Sequence, residues 1–299
     1  MIKSINLKKQ FDGFWALDGV DLHVERGSVY GLVGPNGAGK STIIRHITGV
    51  YRQDEGELLI DGQPVYENPQ IKARIAYIPD DLYYFPQADV EDMRKFYSGI
   101  YEKFDNARFD KLREVFSIVN TGKSIRRMSK GMQKQVAFWL SICCNADVLV
   151  LDEPVDGLDP VMRRQVWSLM MQDVAERGTT VIVSSHNLRE LEDVCDTVGI
   201  MNKGKVLIER SLSSLQGNVS KIQTAFAPGE DPDLSSFNII HETRTGNVRT
   251  LIVRGDTEEV KGRFESLKPL ILDAIPLTLE EIFIYELGGE DYEVKDIIL

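Results

Sequence analysis

The sequence predicts an α/β fold in which a mostly parallel sheet is wrapped by helices, with a smaller α+β unit after it, and three observations carry that reading. Residues 29 to 46 run as a short apolar strand, Val29-Tyr30-Gly31-Leu32-Val33, then a glycine-rich loop, then a helical segment opening at Ser41. Two later apolar runs, Asp147 to Leu151 and Thr179 to Val183, are unbroken in the manner of parallel strands buried on both faces, and a helical segment at 160 to 176 separates them. Beyond about residue 216 the composition turns acidic, with 8 Lys and Arg against 16 Asp and Glu over residues 216 to 299.

The loop Gly34-Pro35-Asn36-Gly37-Ala38-Gly39-Lys40-Ser41-Thr42 has the glycine, lysine and hydroxyl spacing of a phosphate-binding loop, in the strand-to-helix context that such a loop requires. Its glycines admit backbone angles that turn N–H groups toward an anion, and the helix N-terminus adds partial positive charge. Lys40 then reaches the β- and γ-phosphates of a nucleoside triphosphate, and the Ser41 hydroxyl ligates Mg²⁺. The expected core is a P-loop NTPase.

Residues 2 to 9 and 20 to 30 read as strands, with Val20, Leu22 and Val24 alternating with polar neighbours and Glu25-Arg26-Gly27 forming a turn before Val29. Leu58-Leu59-Ile60 followed by Asp61-Gly62 is a hairpin signal, and Ile75 to Ile78 is a short strand closed by Pro79. From Val90 to Val119 apolar residues Met93, Phe96, Tyr97, Ile100 and Tyr101 recur at helical spacing, which marks an inserted helical subdomain over about residues 85 to 145. Met132 to Cys144 continues it as a helix. Val198 to Met201 and Val206 to Ile208, joined by Asn202 to Lys205, read as a closing hairpin. In the acidic segment, strands are expected at 219 to 226, 237 to 243, 248 to 254 and 270 to 275. A helix is expected at 256 to 267 and a short one from Leu279 to Tyr285, capped near Thr278. The expected division is 1–215 for the nucleotide domain and 216–299 for the accessory unit.

At 299 residues the chain accommodates one large domain and a small one. Cys143, Cys144 and Cys195 have no metal-site spacing and fit a reduced, cytosolic protein. No run approaches the 18 or so apolar residues of a membrane span, and the N-terminus lacks a signal-peptide layout. A net charge of -11 argues against broad nucleic-acid binding, so no nucleic-acid partner is expected.

Asp152 and Glu153 follow the buried run ending at Leu151, at the C-terminal strand end where open α/β sheets place ligands. The first carboxylate is expected to hold Mg²⁺. The second, aimed differently, is the natural general base for a water attacking the γ-phosphate.

With these residues in place the chain resembles the ATP-binding subunit of an ABC transporter over roughly its first 215 residues. Gly34 to Thr42 match the family's phosphate loop, Met128-Ser129-Lys130-Gly131-Met132 its signature, and Leu149 to Glu153 its second nucleotide motif. Gly157-Leu158-Asp159 match the loop that crosses to the partner subunit, His186 the switch histidine, and Phe11 the aromatic that stacks on adenine, with Trp15 as the alternative ring. The resemblance implies the ABC ATPase fold, with an antiparallel β subdomain and a helical subdomain, and hydrolysis of ATP with Mg²⁺. It further implies that Ser129 and Gly131 contact nucleotide held by the opposite subunit, as does the Asp159 loop. Lys130 and Met132 stand where glycine and glutamine are common. Asp80, after Tyr77-Ile78-Pro79, occupies the place of a glutamine that reaches Mg²⁺ and the attacking water; Asp81 is the alternative register.

The implied partners are a separate membrane permease and a second ATPase, in a homodimer or a heterodimer. The implied location is cytoplasmic, peripheral on the inner face of the membrane. Tyr83, Tyr84, Phe85 and Pro86 are expected to line the permease-docking groove. The Ser-Lys-Gly-Met form of the signature and the added C-terminal unit point to the exporter branch. The competing class is a soluble ABC ATPase acting on ribosomes or nucleic acid, against which stand the single cassette, the absence of a long heptad run and the negative charge.

Overall fold

The computed structural model describes residues 1–212, 219–227, 229–230, 232–275, 277–282 and 285. By contacts the chain divides into two compact units, Met1–Asn187 with Val194–Glu209, and Leu188–Asp193 with Arg210–Leu299. The short segment after residue 187 joins the second unit because Arg189 pairs with Glu280 at 2.8 Å.

In the first unit, β1 (Ile2–Phe11), β2 (Phe14–Val24), β4 (Glu55–Ile60) and β5 (Gln63–Pro64) form an antiparallel sheet in the order β2-β1-β4-β5. Strand β2 begins well before the expected residue 20, and bulges in β1 accommodate the longer pairing. At the β4–β5 turn Asp61 and Gly62 take φ values of 50° and 75°, the left-handed pair that an Asp-Gly hairpin supplies.

The second sheet has the order β10-β9-β3-β8-β7-β6. Its strands are β3 (Val29–Val33), β6 (Ile75–Ile78), β7 (Val148–Asp152), β8 (Thr180–Ser185), β9 (Thr197–Asn202) and β10 (Lys205–Ser211). Strands β9, β3, β8, β7 and β6 are mutually parallel. Every residue of β3, β7 and β8 is buried, which accounts for their unbroken apolar reading. Helix α1 (Lys40–Ile47) lies between the two sheets. Its Ile43, Ile44 and Ile47 share one core with Leu17, Val20, Leu58 and Ile60 of the antiparallel sheet and with Leu32, Val150 and Ile182 of the parallel sheet.

After the short α2 (Pro69–Lys72), the helical insertion comprises α3 (Val90–Ile100), α4 (Asn106–Leu112) and α5 (Lys130–Cys143), so the expected run from 90 to 119 is broken near residue 101. Aspartates cap α3 and α4: Asp89 accepts from the Asp92 N–H and Asp105 from the Arg108 N–H. The insertion packs around fully buried Trp139. Its ring stacks on Phe109 at 4.4 Å and Phe116 at 5.7 Å, and its Nε1–H donates to the Phe109 carbonyl at 2.9 Å. Helix α6 (Pro160–Arg177) connects β7 to β8. The three cysteines are free and buried, and burial pushes their thiols up, Cys143 to about 12.

The second unit contains β11 (Val219–Ala225), β12 (Ile239–Thr245), β13 (Val248–Arg254) and β14 (Ile271–Ile275), antiparallel in the order β12-β13-β11-β14. Helix α7 (Thr257–Glu265) closes its core, with Phe264 stacked on Phe237 at 4.1 Å. Of the short helix expected from Leu279 to Tyr285, α8 covers Leu279–Ile282, and residues 283 and 284 lie outside the described residues. So do residues 216–218 and 286–299 of the expected accessory unit.

Arg74 joins the two sheets by pairing with Asp61 at the β4–β5 turn and with Asp147 just before β7, each at 2.6 Å. Burial alone would push both carboxyls up, but the Arg74 hydrogen bonds, with Arg26 beside Asp61 and Lys103 beside Asp147, leave both below their ordinary values. Carboxylates with depressed values stabilise the fold above their ordinary range and lose that contribution as pH falls. The gap in unfolding midpoint between the parent and Arg74→Met is therefore expected to be full above about pH 5 and to shrink below about pH 4, measured by thermal melting across pH. A gap independent of pH would contradict the pairing.

Candidate functional site

Strands β3, β8 and β7 reach their C-terminal ends side by side, with Leu32 opposite Ser184, Val33 opposite Ser185 and Ser184 opposite Asp152. The residues following β3, β7 and β8 therefore converge on one edge: the phosphate loop, Glu153 and His186.

In the loop Gly37 and Gly39 have φ of 82° and 108°, and Gly34 leaves no room for a Cβ, which would stand 2.3 Å from the Met201 carbonyl oxygen. Pro35, Asn36 and Ala38 complete the turn, held by the Ala38 N–H donating to the Pro35 carbonyl and the Gly204 N–H donating to the Ala38 carbonyl. Helix α1 starts at Lys40 with Gly39 as its cap and no side chain bonded to its first N–H groups, so Ser41, Thr42 and their backbone donors open the helix as an anion site. The Lys40 ammonium is buried, donates to the Gly34 carbonyl at 2.6 Å and stands 3.6 Å from Glu153 Oε1.

Asp152 ends β7 as a buried carboxylate. The Ser184 hydroxyl donates to it at 2.5 Å and also accepts the Glu153 N–H at 3.1 Å. Glu153 has φ of 47°, a left-handed conformation that costs a non-glycine residue about 1–3 kcal/mol and persists only where its surroundings hold it. Its Oε2 lies 2.9 Å from His186 Nδ1, and its carbonyl accepts from the buried Lys134 ammonium at 2.7 Å. Asp80 is exposed on one side and stands 3.6 Å from the same Lys134 nitrogen. Asp152 and the Ser41 hydroxyl are hard oxygen donors of the kind Mg²⁺ takes, and the uncapped helix with Lys40 fits a polyphosphate, so the residues suit both groups.

The structure thus brings Lys40, Glu153 and His186 into direct contact and places Asp152 beside them. The described hydrogen bonds of Ser129 and Asp159 are to their own local elements. Ser129 caps α5, its hydroxyl oxygen accepting the Met132 N–H at 3.3 Å. Gly131 lies so close to Gly157 that a Cβ would stand 2.7 Å from its carbonyl oxygen. Among the described hydrogen bonds none joins Ser129 to the phosphate loop of its own chain. The Asp159 carboxylate caps α6, accepting the Val161 and Met162 N–H groups at 3.0 Å. Phe11 is 40% exposed at the end of β1, edge-on to Tyr51 at 5.4 Å, while Trp15 is 38% exposed with Lys8 over its ring.

Sequence reasoning missed several residues here. Asp156 places an oxygen within 4.8 Å of ligand atoms of Glu153 and His186, and it follows Glu153 by one turn. Tyr77, near Asp152, shows in the sequence only as a strand residue; burial first, then the Asp152 charge, pushes its phenol up to about 12, so it remains a donor. The sequence signal for Lys134 is that it is the one charged residue in the buried stretch Lys134 to Cys143 of α5.

A P-loop ATPase of the cassette type is what this strand edge defines. Residues 17–156 match the family described as "ABC transporter". The chain is 33% identical to the ABC transporter ATP-binding protein YtrB of Bacillus subtilis over 290 residues, 97% of this chain and 99% of that protein. It is 28% identical to the daunorubicin resistance ATP-binding protein DrrA3 of Streptomyces coeruleorubidus, over 97% of this chain and 96% of that one. The chain belongs to the ABC transporter ATP-binding family. Among solved structures, one described as the ATP-binding subunit of an ABC transporter matches with a TM-score of 0.67 at 26% identity, covering 72% of this chain and 92% of that one. The dimeric cassette MJ0796 shares the fold, with a TM-score of 0.63 at 22% identity over 71% of this chain and 99% of that one. The family hydrolyses ATP. Among the described residues no helix is long and apolar enough to cross a membrane.

Proposed function

We propose that the chain is the ATP-hydrolysing subunit of a membrane transporter, in which two ATPase subunits close over two ATP molecules and drive a separate permease, with export as the direction. The observation that carries the hydrolytic reading is the position of Glu153, which touches Lys40 from the phosphate loop and His186 from the end of β8 at once. Lys40, released from the Gly34 carbonyl, binds the β- and γ-phosphate oxygens with the first N–H groups of α1. Glu153 takes the proton of the attacking water. The water oxygen bonds to the γ-phosphorus as the β–γ bond breaks, giving ADP and phosphate. His186 holds the Glu153 carboxylate and offers its ring to the γ-phosphate. Ser41 and Asp152 would hold Mg²⁺, which supplies charge neutralisation at the β- and γ-oxygens.

The clamp reading draws support from Ser129, which opens α5 without a bond to its own phosphate loop and so offers a helix N-terminus to nucleotide on another subunit. Phe11 supplies an exposed ring for adenine. Similarity to DrrA3, a drug-resistance protein by name, supports export. The 216–299 segment is read as an accessory unit that bears on subunit pairing or closure. Around residue 85, Tyr83 and Phe85 are 70% and 45% exposed, and Phe85 meets Phe96 edge-on at 5.0 Å. Tyr84 does not join that surface: it is buried, its hydroxyl donating to the Gln133 carbonyl at 2.6 Å. Tyr83, Phe85 and Pro86, all exposed, with Phe96 beside them, form the docking surface in this reading.

Glu153→Gln is expected to bind ATP and trap a stable pair of subunits while turnover falls at least a hundredfold, read by size-exclusion chromatography and phosphate release. Turnover near the parent rate would remove Glu153 as the base. Alanine at Tyr83 and Phe85 together is expected to reduce co-purification with the permease from membranes while ATPase activity of the isolated chain persists. Unchanged complex formation would move the docking surface elsewhere.

A further inference from the structure

Glu153 is held by both of its backbone polar groups. Its N–H donates to the Ser184 hydroxyl at the end of β8, and its carbonyl accepts from Lys134 on α5 at 2.7 Å. Lys134 has no role in the chemistry derived above, and its placement is unusual. The side chain is 8% exposed, on a helix whose next residues, Gln135 to Cys143, are all buried. A buried ammonium persists only with acceptors and counter-charge around it. Here the acceptor is the backbone of the residue with the left-handed φ of 47°, and the counter-charge is Asp80 at 3.6 Å. Asp80 and Lys134 line one cleft of about 320 Å³ with Gln133, Asp156 and Gly157.

We propose that Lys134 is a positioning residue for hydrolysis, fixing the backbone turn that aims the Glu153 carboxylate, and that Asp80 serves as its counter-charge instead of as a metal ligand. The inference rests on the reading of Glu153 as the base. Without the Lys134 bond, the Glu153 carbonyl has no described partner and nothing on the helical side opposes relaxation of the strained φ. The carboxylate then leaves the line between Lys40 and His186. A misplacement of about 1 Å in a reacting group is enough to lower turnover a hundredfold. Among the described hydrogen bonds and ion pairs Lys134 joins only Glu153 and Asp80, not Lys40 or Ser41, so nucleotide affinity has no reason to change. The arrangement also links the insertion to the hydrolytic residue. Lys134 belongs to the helix that Ser129 caps, and Asp80 follows β6 toward the aromatic surface at Tyr83 and Phe85. A shift of that surface would reach Glu153 through one ammonium group.

The test uses the full chain and measures turnover, ATP affinity and the Mg²⁺ concentration for half-maximal activity. Lys134→Met, which keeps the volume and removes the donor, is expected to lower kcat at least tenfold with ATP affinity within twofold of the parent. Asp80→Asn is expected to lower kcat by a smaller factor and to leave the Mg²⁺ half-saturation within twofold. An unchanged kcat in Lys134→Met overturns the positioning role. A rise of tenfold or more in the Mg²⁺ half-saturation of Asp80→Asn overturns its assignment as counter-charge and makes it a metal ligand. If Lys134→Met loses its folded state by circular dichroism, Lys134→Gln decides, because its amide keeps a polar group in the buried site but, uncharged and one atom shorter, falls short of the Glu153 carbonyl. Recovered folding with kcat still reduced at parent ATP affinity supports the proposal, and parent kcat overturns it. Glu153→Gln run alongside separates the two readings. If it turns over normally the base assignment fails, whereas loss of turnover there with parent kcat in Lys134→Met defeats the Lys134 proposal alone.

Discussion

The hydrogen-bonded register of β3, β8 and β7 is the constraint on which the rest of the site depends. Because Leu32 stands opposite Ser184 and Ser184 opposite Asp152, three loops leave the sheet at one level. A slip of one residue would turn each side chain to the other face and separate Asp152 from Ser184. The complete burial of these strands specifies that register, so the apolar runs that make the core also set the geometry of the chemistry. Helix α1, packed between two sheets, then fixes the phosphate loop against this edge.

Two buried ammonium groups flank Glu153. Lys40 lies on the side of its carboxylate and Lys134 on the side of its carbonyl. Each is satisfied by backbone oxygens as well as by a carboxylate, which is how a cation persists away from water. The residue between them carries the unfavourable backbone angle. Strain of this sort concentrates where a side chain must be aimed, and the hydrogen bonds on both sides of the peptide hold it in place.

Much of this was legible in the sequence, for physical reasons that differ by element. The phosphate loop is readable because glycine spacing, lysine and hydroxyl are each required by an anion cradle, and Asp152 and Glu153 only in combination with that loop, since an Asp-Glu turn after a strand is common by itself. The buried strands announced themselves by hydrophobicity alone. Strand β2 was read short because Phe14, Trp15 and Ala16 lack clean alternation, and their pairing with β1 across bulges is a tertiary matter. The helical run past Val90 was read as continuous because apolar spacing persists through Tyr101, whereas the chain turns there and Asp105 caps a new helix. Lys134, Asp156 and Tyr77 stayed invisible because their importance comes from proximity across elements, which no local pattern encodes. The Tyr83 to Pro86 cluster reads as one patch in sequence, but alternation of burial puts Tyr84 inside and leaves Tyr83 and Phe85 outside.

In the function proposed above, this chain is one jaw of an ATP-bridged pair, with hydrolysis at Glu153 and the Ser129 helix end supplied to nucleotide on the facing subunit. The most direct measurement is a crystal structure of the full chain with Mg²⁺ and a non-hydrolysable ATP analogue. The predicted result is a symmetric pair in which the γ-phosphate held by one chain's Lys40 lies within about 3 Å of Ser129 on the other. An assembled pair with every Ser129 remote from nucleotide, or nucleotide bound away from Lys40, would contradict it.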